Sequence, residues 1–347
     1  MDLPHNAKIS LLINPGAGSG TGAKLRAQAE TLLTESFPGA TLEVLLSRDR
    51  EHMLYLGAHT NANLIVCVSG DGSVHDLAQA LLMRPPDERP ALAAIPAGSG
   101  NDYALSLGMP VDPLAALRAL PSCQLARVDV GQVNDTYFLE TLSFGVDAAV
   151  ALHSEELRLR NKQRGVSLYA RAAVDAVLHE LIPRQAQLCA ATFNWQGQLL
   201  ILAVQNGPTY GGGFKVAPSA RIDDGILDVY FVSGIGKLRG LYYLLRMKKG
   251  RHERLSGFHS FQTQSLKIEF AEPLPAQCDG ERLLGTYFDV GLLPAALTVC
   301  ATTRAALSCR EDSKTAVSNP RNNPPDNAVL SYANNRTIPV SPWSRRS

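Results

Sequence analysis

Residues 64–76 read Leu-Ile-Val-Cys-Val-Ser-Gly-Asp-Gly-Ser-Val-His-Asp. The five apolar residues from Leu64 to Val68 show no alternation, as expected of a strand buried on both faces. Gly70 and Gly72 then flank Asp71. Beyond them Val74, Leu77, Ala78, Leu81 and Leu82 recur at helical spacing, which predicts a helix over 73–83. A plain turn needs one glycine and no acid. A strand that runs through two glycines and a carboxylate into a helix predicts a seat for a nucleotide triphosphate and its metal.

Outward from this stretch the pattern repeats. Strands are predicted at 8–14, 41–47 and 91–96, and helices at 23–33, 51–59, 102–107 and 113–120. Short apolar strands separated by amphipathic helices predict a parallel sheet covered on both faces, with ligands beyond the carboxyl ends of its strands. After about residue 123 the pattern turns to antiparallel β. Segments 125–133 and 137–144 flank the turn signal Asn134-Asp135, and 190–195 and 199–204 flank Gln196-Gly197, read as a hairpin. Further strands are expected at 225–232, 265–270, 281–290 and 297–301, with one helix at 166–181. The expected organisation is an α/β domain over 1–123, a β-rich sandwich domain over 124–310, and a tail at 311–347 that reads as disordered from its Asn, Pro, Ser and Arg content.

The 347 residues carry 33 Lys and Arg against 32 Asp and Glu, a net charge of +1. Nucleic acid is therefore not the expected partner, and any positive field must be local. The six cysteines form no CxxC pair and read as reduced thiols. The start MDLPHNAKIS has no apolar core of a secretory signal, and no run approaches a bilayer span.

Three strand ends are rich in glycine: Asn14-Pro15-Gly16-Ala17-Gly18-Ser19-Gly20-Thr21-Gly22, the SGDGS of Ser69–Ser73, and Pro96-Ala97-Gly98-Ser99-Gly100-Asn101-Asp102. The remaining strand ends at Ser47. The first loop is not a Walker A loop, because Lys24 lies between Ala23 and Leu25. Singly these loops are weak signals. Three on one sheet edge, each feeding a helix N-terminus, predict phosphate binding.

In order and spacing the three loops resemble the signatures of the diacylglycerol kinase catalytic domain family, which includes bacterial lipid kinases and the sphingosine and ceramide kinases. The usual middle loop is GGDGTxNE; here Ser69, Ser73, His75 and Asp76 depart from it. The SGDGxxH form looks like the sphingosine kinase branch, and the Asn101-Asp102 pair like the bacterial one. The resemblance covers about residues 8–302. It implies an NAD-kinase-like N-terminal α/β domain, a C-terminal antiparallel β-sandwich, and transfer of the ATP γ-phosphate to a lipid hydroxyl of diacylglycerol or sphingoid type. Two alternatives are an NAD-kinase-like small-molecule kinase and a lipid-binding protein without kinase activity.

Candidate nucleotide contacts under this resemblance are Asn14, Gly16, Ser47, Gly70, Gly72, Ser73, Gly98, Ser99, Asn101 and Asp102. Asp102 is alternatively a brace for the third loop or an aid to the metal. The segment Arg221–Asp228 resembles the family's DGxLD, which implies a structural Mg²⁺ held by Asp224 and the carbonyls of Arg221 and Ile226. Asp279-Gly280-Glu281 matches the family's DGE. The bacterial branch implies Glu281 as general base, and the sphingosine kinase branch implies Asp71, which could instead order Mg²⁺ through water. His75 is a candidate ligand contact or a packed hydrogen-bonding residue, and His179 a surface or packing residue.

Residues 246–254 hold five Lys or Arg and one Glu, so 5 − 1 = +4, beside the apolar run 241–245. An apolar stretch next to a basic cluster suits an anionic lipid surface. The expected partner is a membrane lipid met at the inner face of the membrane by a cytoplasmic protein; a homodimer is allowed for.

Overall fold

The computed structural model describes residues 3–4, 6–145, 182–234, 236–247, 249–250, 252 and 255–302. The helix expected at 166–181, His179, the tail at 311–347 and part of the basic cluster lie outside the described residues.

Four parallel strands open the chain: β1 (Lys8–Ile13), β2 (Thr41–Leu46), β3 (Leu64–Ser69) and β4 (Ala91–Pro96). Their order is β2-β1-β3-β4. Every residue of β3 and β4 is buried, which is why these two read as unbroken apolar runs. The helices α1 (Thr21–Ser36), α2 (Arg50–His59), α3 (Asp71–Leu82), α4 (Asp102–Ser106) and α5 (Pro113–Ala119) follow these strands. Helix α3 starts at Asp71 rather than at 73. Gly70 is its N-cap, and the Asp71 carboxylate lies in the first turn, where the helix dipole favours it.

The second half is antiparallel. Its strands are β5 (Gln124–Val133), β6 (Thr136–Phe138), β7 (Thr141–Gly145), β8 (Arg184–Ala190), β9 (Asn194–Gln205), β10 (Leu227–Ser233), β11 (Phe258–Thr263), β12 (Ser265–Cys278) and β13 (Glu281–Ala301). Helix α6 (Lys237–Met247) lies between β10 and β11. Strand β13 pairs with β12 and β5, and at Val299 it meets Leu92 of β4 in parallel. One sheet therefore runs through both halves. Strands β7 and β8 lie in line between β9 and β12: Gly145 pairs with Ile201, and Arg184 with Leu199.

The structure departs from the sequence reading in further places, and strands β8 and β11 were not expected. The strand expected at 137–144 is interrupted at Leu139 and Glu140, whose N–H groups turn to Asp279. The hairpin does not turn at Gln196-Gly197. It turns at 191–193, and Gly197 sits inside β9 opposite Ala186. A Cβ on Gly197 would lie 2.9 Å from the ring of buried Trp195, so this glycine makes room for an indole. The two strands expected at 281–290 and 297–301 are one, with a register shift between Leu293 and Leu297.

Separate cores form in the two halves. Leu11, Leu12, Ile65, Val66, Leu77 and Leu92 centre the first. In the second, Phe288 packs edge-on to Phe144 with ring centroids 4.8 Å apart. Full burial of each such side chain contributes roughly 1.5–3 kcal/mol.

Candidate active site

The glycine-rich loops meet at the carboxyl ends of β1, β3 and β4. Asn14 stitches the first to the second: its Oδ1 accepts from the Gly16 N–H at 2.9 Å, and its Nδ2 donates to Ser73 Oγ at 2.8 Å. Asp71 stitches the second to the third. Its Oδ2 accepts from the Asn101 N–H at 2.6 Å and its Oδ1 from the Tyr103 N–H at 3.3 Å. Asn101 closes the third loop on itself, accepting from the Gly98 N–H at 2.7 Å and donating to the Gly98 carbonyl at 3.1 Å.

These contacts separate two jobs that the sequence merges. A Cβ on Gly98 would come within 2.4 Å of the Gly70 Cα, so these two glycines let the loops touch. A Cβ on Gly72 would meet nothing within 4 Å. Gly72 borders a cavity of about 250 Å³, also lined by Asn14, Ser47, Ser73, Met53, Asp76, Arg48, Asp49 and Arg50. Of the expected nucleotide contacts, the structure brings Asn14, Ser47, Gly72 and Ser73 to this cavity. Gly16, Gly70, Gly98, Ser99, Asn101 and Asp102 do not line it, and Ser99 is exposed.

Asp102 braces the two halves together. It is buried, and its carboxylate accepts from the N–H groups of Gly212 and Gly213 at 2.7 and 2.8 Å. Burial, then the charge of Asp102, pushes the Asp71 carboxyl up to about 6, against the pull of its backbone donors.

The DG turn and the DGE motif coincide. Asp279 (φ 50) and Gly280 (φ 96) form a two-residue hairpin between β12 and β13, and Glu281 is the first residue of β13. Asp279 itself is a hub. It accepts from the N–H groups of Leu139, Glu140 and Thr141 at 2.6, 3.0 and 2.9 Å, and lies 3.1 Å from His75 Nδ1. His75 is thus a packed residue of α3 rather than part of the cavity wall. Burial disfavours its charge, but the hydrogen bond and charge of Asp279 prevail and raise its pKa. Glu281 reaches the cavity through Arg50, whose Nη1 lies 2.5 Å from Glu281 Oε2 and whose Nε lies 2.9 Å from Asp76 Oδ1.

The sequence reading missed Arg50, and it missed Glu140. Glu140 is buried, and a Cβ on Gly207 would lie 1.6 Å from its Oε2. Burial holds its carboxyl well above the usual range, and Asp279, Asp102 and Asp71 add to the effect while Ser106 opposes it. The neutral form therefore supports the fold fully below the ordinary value of 4.5, and that support is lost as pH rises through the raised value. Glu140→Gln, neutral at every pH, should melt progressively higher relative to the parent chain as pH rises into mild alkali. A melting-temperature difference that stays constant with pH would refute this.

Around the DGxLD match, Asp224 Oδ1 accepts from the Ile226 N–H at 3.2 Å. Burial pushes the Asp224 carboxyl up to about 6, helped by Asp228, Asp129 and Asp223 and opposed by the Ile226 hydrogen bond. Among the described residues no group of three or more His, Cys, Asp or Glu is placed to hold a metal ion. A cation here would rest on one carboxylate and main-chain oxygens. An all-oxygen donor set with Asp129, Asp223 and Asp228 nearby, Asp223 paired with Arg221, fits a hard cation.

Comparison with known proteins shows the family and the fold. Residues 8–133 match the diacylglycerol kinase catalytic domain, and residues 140–301 match the YegS C-terminal NAD kinase beta sandwich-like domain. A "Probable lipid kinase YegS-like" protein of Enterobacter sp. (strain 638) is 30% identical over 296 residues, which is 83% of this chain and 94% of that relative. The chain belongs to the YegS-like family of probable lipid kinases. A YegS-like relative from Pseudomonas aeruginosa is 33% identical, covering 68% of this chain and 75% of its own length. The crystal structure of a diacylglycerol kinase from Bacillus anthracis shares the fold, with a TM-score of 0.72 at 22% identity, over 86% of this chain and 98% of that one. Membership of this kinase family implies use of ATP. The N-terminal α/β and C-terminal β-sandwich architecture is that of the YegS-like family. No helix among the described residues is long and apolar enough to cross a membrane.

Proposed function

We propose that this protein transfers the γ-phosphate of ATP to the hydroxyl of a lipid of diacylglycerol or sphingoid type. The observation that carries the reading is the cavity of Asn14, Ser47, Gly72 and Ser73, joined through Arg50 to Glu281 of the other half. The nucleotide phosphates lie along α3 and its neighbouring loop, where N–H groups and the helix N-terminus favour negative charge. Glu281 accepts the proton of the attacking hydroxyl. Asp71 holds the second and third loops in register, with both its oxygens accepting main-chain N–H groups. Transfer needs little covalent chemistry from the protein beyond positioning and charge stabilisation.

Mg²⁺ fits the Asp224 site with the carbonyls of Arg221 and Ile226, and there it would fix the Arg221–Asp228 segment. Adding Mg²⁺ should raise the melting temperature of the parent chain, and Asp224→Asn should abolish that rise. An equal rise in both would remove the metal from this position.

The lipid acceptor is met at an anionic membrane face. On α6 the half-exposed Tyr242 carries the Arg246 guanidinium 5.9 Å from its ring centroid, an aromatic–cation pair suited to headgroups. The deciding experiment supplies labelled ATP, Mg²⁺ and vesicles of diacylglycerol or sphingosine, with NAD in parallel. Label in a lipid, lost in Asp71→Ala, supports the proposal. Label in NAD, or lipid binding without transfer, overturns it.

A further inference from the structure

Arg50 is the first residue of α2, and its backbone is fixed by a cap: Asp49 accepts from the His52 N–H at 2.8 Å. Two cations line the cavity, Arg48 and Arg50. Arg48 is turned to His52, with its N–H and its Nε donating to His52 Nδ1 at 3.2 and 3.3 Å. Arg50 faces acids from two other elements, Asp76 on α3 and Glu281 on β13. Only the Nη1 contact to Glu281 is a hydrogen bond; the Nε contact to Asp76 is an ion pair, and Nη2 makes neither among the described residues, which leaves it for a ligand. The side chain is 52% exposed and so open to one. The cavity otherwise holds the carboxylates of Asp49 and Asp76, so a triphosphate entering it requires a local cation.

We propose that Arg50 joins the two reactants: one edge of its guanidinium holds Glu281 against α3, and its remaining donors take an oxygen of the terminal phosphoryl group of the nucleotide. The inference rests on the kinase reading above and adds a residue to it. The base and the group it serves then share one rigid plane. Glu281 is kept beside the phosphoryl group, and the charge on that group is met by the same side chain. A planar fork can make these contacts together, whereas a lysine ammonium is a point charge on a flexible stem.

The test compares two nucleotides on the full chain by titration calorimetry. ADP and the β,γ-imido analogue of ATP, each with Mg²⁺, are titrated into the parent, Arg50→Met and Arg50→Lys proteins. Arg50→Met should weaken the analogue on the order of tenfold to a hundredfold while leaving ADP nearly unchanged. Arg50→Lys should recover part of the analogue's affinity, while its turnover on lipid vesicles stays low because Glu281 is no longer held. Equal weakening of both nucleotides, or of neither, overturns the contact. So does a fall in melting temperature with the two affinities in their original ratio, which would make Arg50 a tie between halves only. Lipid phosphorylation by the parent with an unmoved ratio in Arg50→Met sinks the Arg50 role and spares the kinase reading. Nucleotide binding by the parent with no lipid labelled, and the ratio shifted, does the reverse.

Discussion

An Asp279→Ala chain should lose about 3–6 kcal/mol of stability, because three main-chain N–H groups lose a buried acceptor together. The cost has two further parts. His75 on α3 loses its partner across the junction between the halves. Alanine must also take the left-handed backbone of the turn, φ 50, which aspartate and asparagine tolerate better. Asp279→Asn should therefore fall between the parent and Asp279→Ala. Urea unfolding of the three proteins measures the order. A loss below about 1 kcal/mol in Asp279→Ala would mean that Leu139, Glu140 and Thr141 find other acceptors, and the hub would be a bystander.

The second large effect is on turnover. Glu281→Gln should lower kcat on lipid vesicles by about 10²–10⁴-fold, the range that removal of a general base commands. Nucleotide affinity should persist, since Asn14, Ser47, Gly72 and Ser73 are untouched and Arg50 keeps Asp76. Steady-state kinetics beside nucleotide titration separates the two quantities. Retained turnover would shift the role of base to Asp71. That residue is the weaker candidate because both its oxygens already accept main-chain N–H groups of the third loop.

Much of the first half was legible because its strands are buried on both faces. Such strands must be apolar throughout, and Leu64–Val68 and Ala91–Ile95 announce themselves. The glycine loops were legible as a site but not in their division of labour. Nothing in the letters says that Gly70 and Gly98 touch each other while Gly72 borders open space. The Gln196-Gly197 hairpin was misread because a local turn signal cannot show that a tryptophan two residues earlier needs the space. Arg50 was illegible for a different reason. Its partners stand 26 and 231 residues further along the chain, and only the folded sheet brings them together. Glu140 was hidden too: one acid in an expected strand gives no sign of its burial, and its raised pKa comes first from that burial.

The in-line arrangement of β7 and β8 has an engineering consequence. Their shared partners β9 and β12 hold both pieces in register as a single track. A substitution in β9 or β12 is therefore felt by both pieces at once.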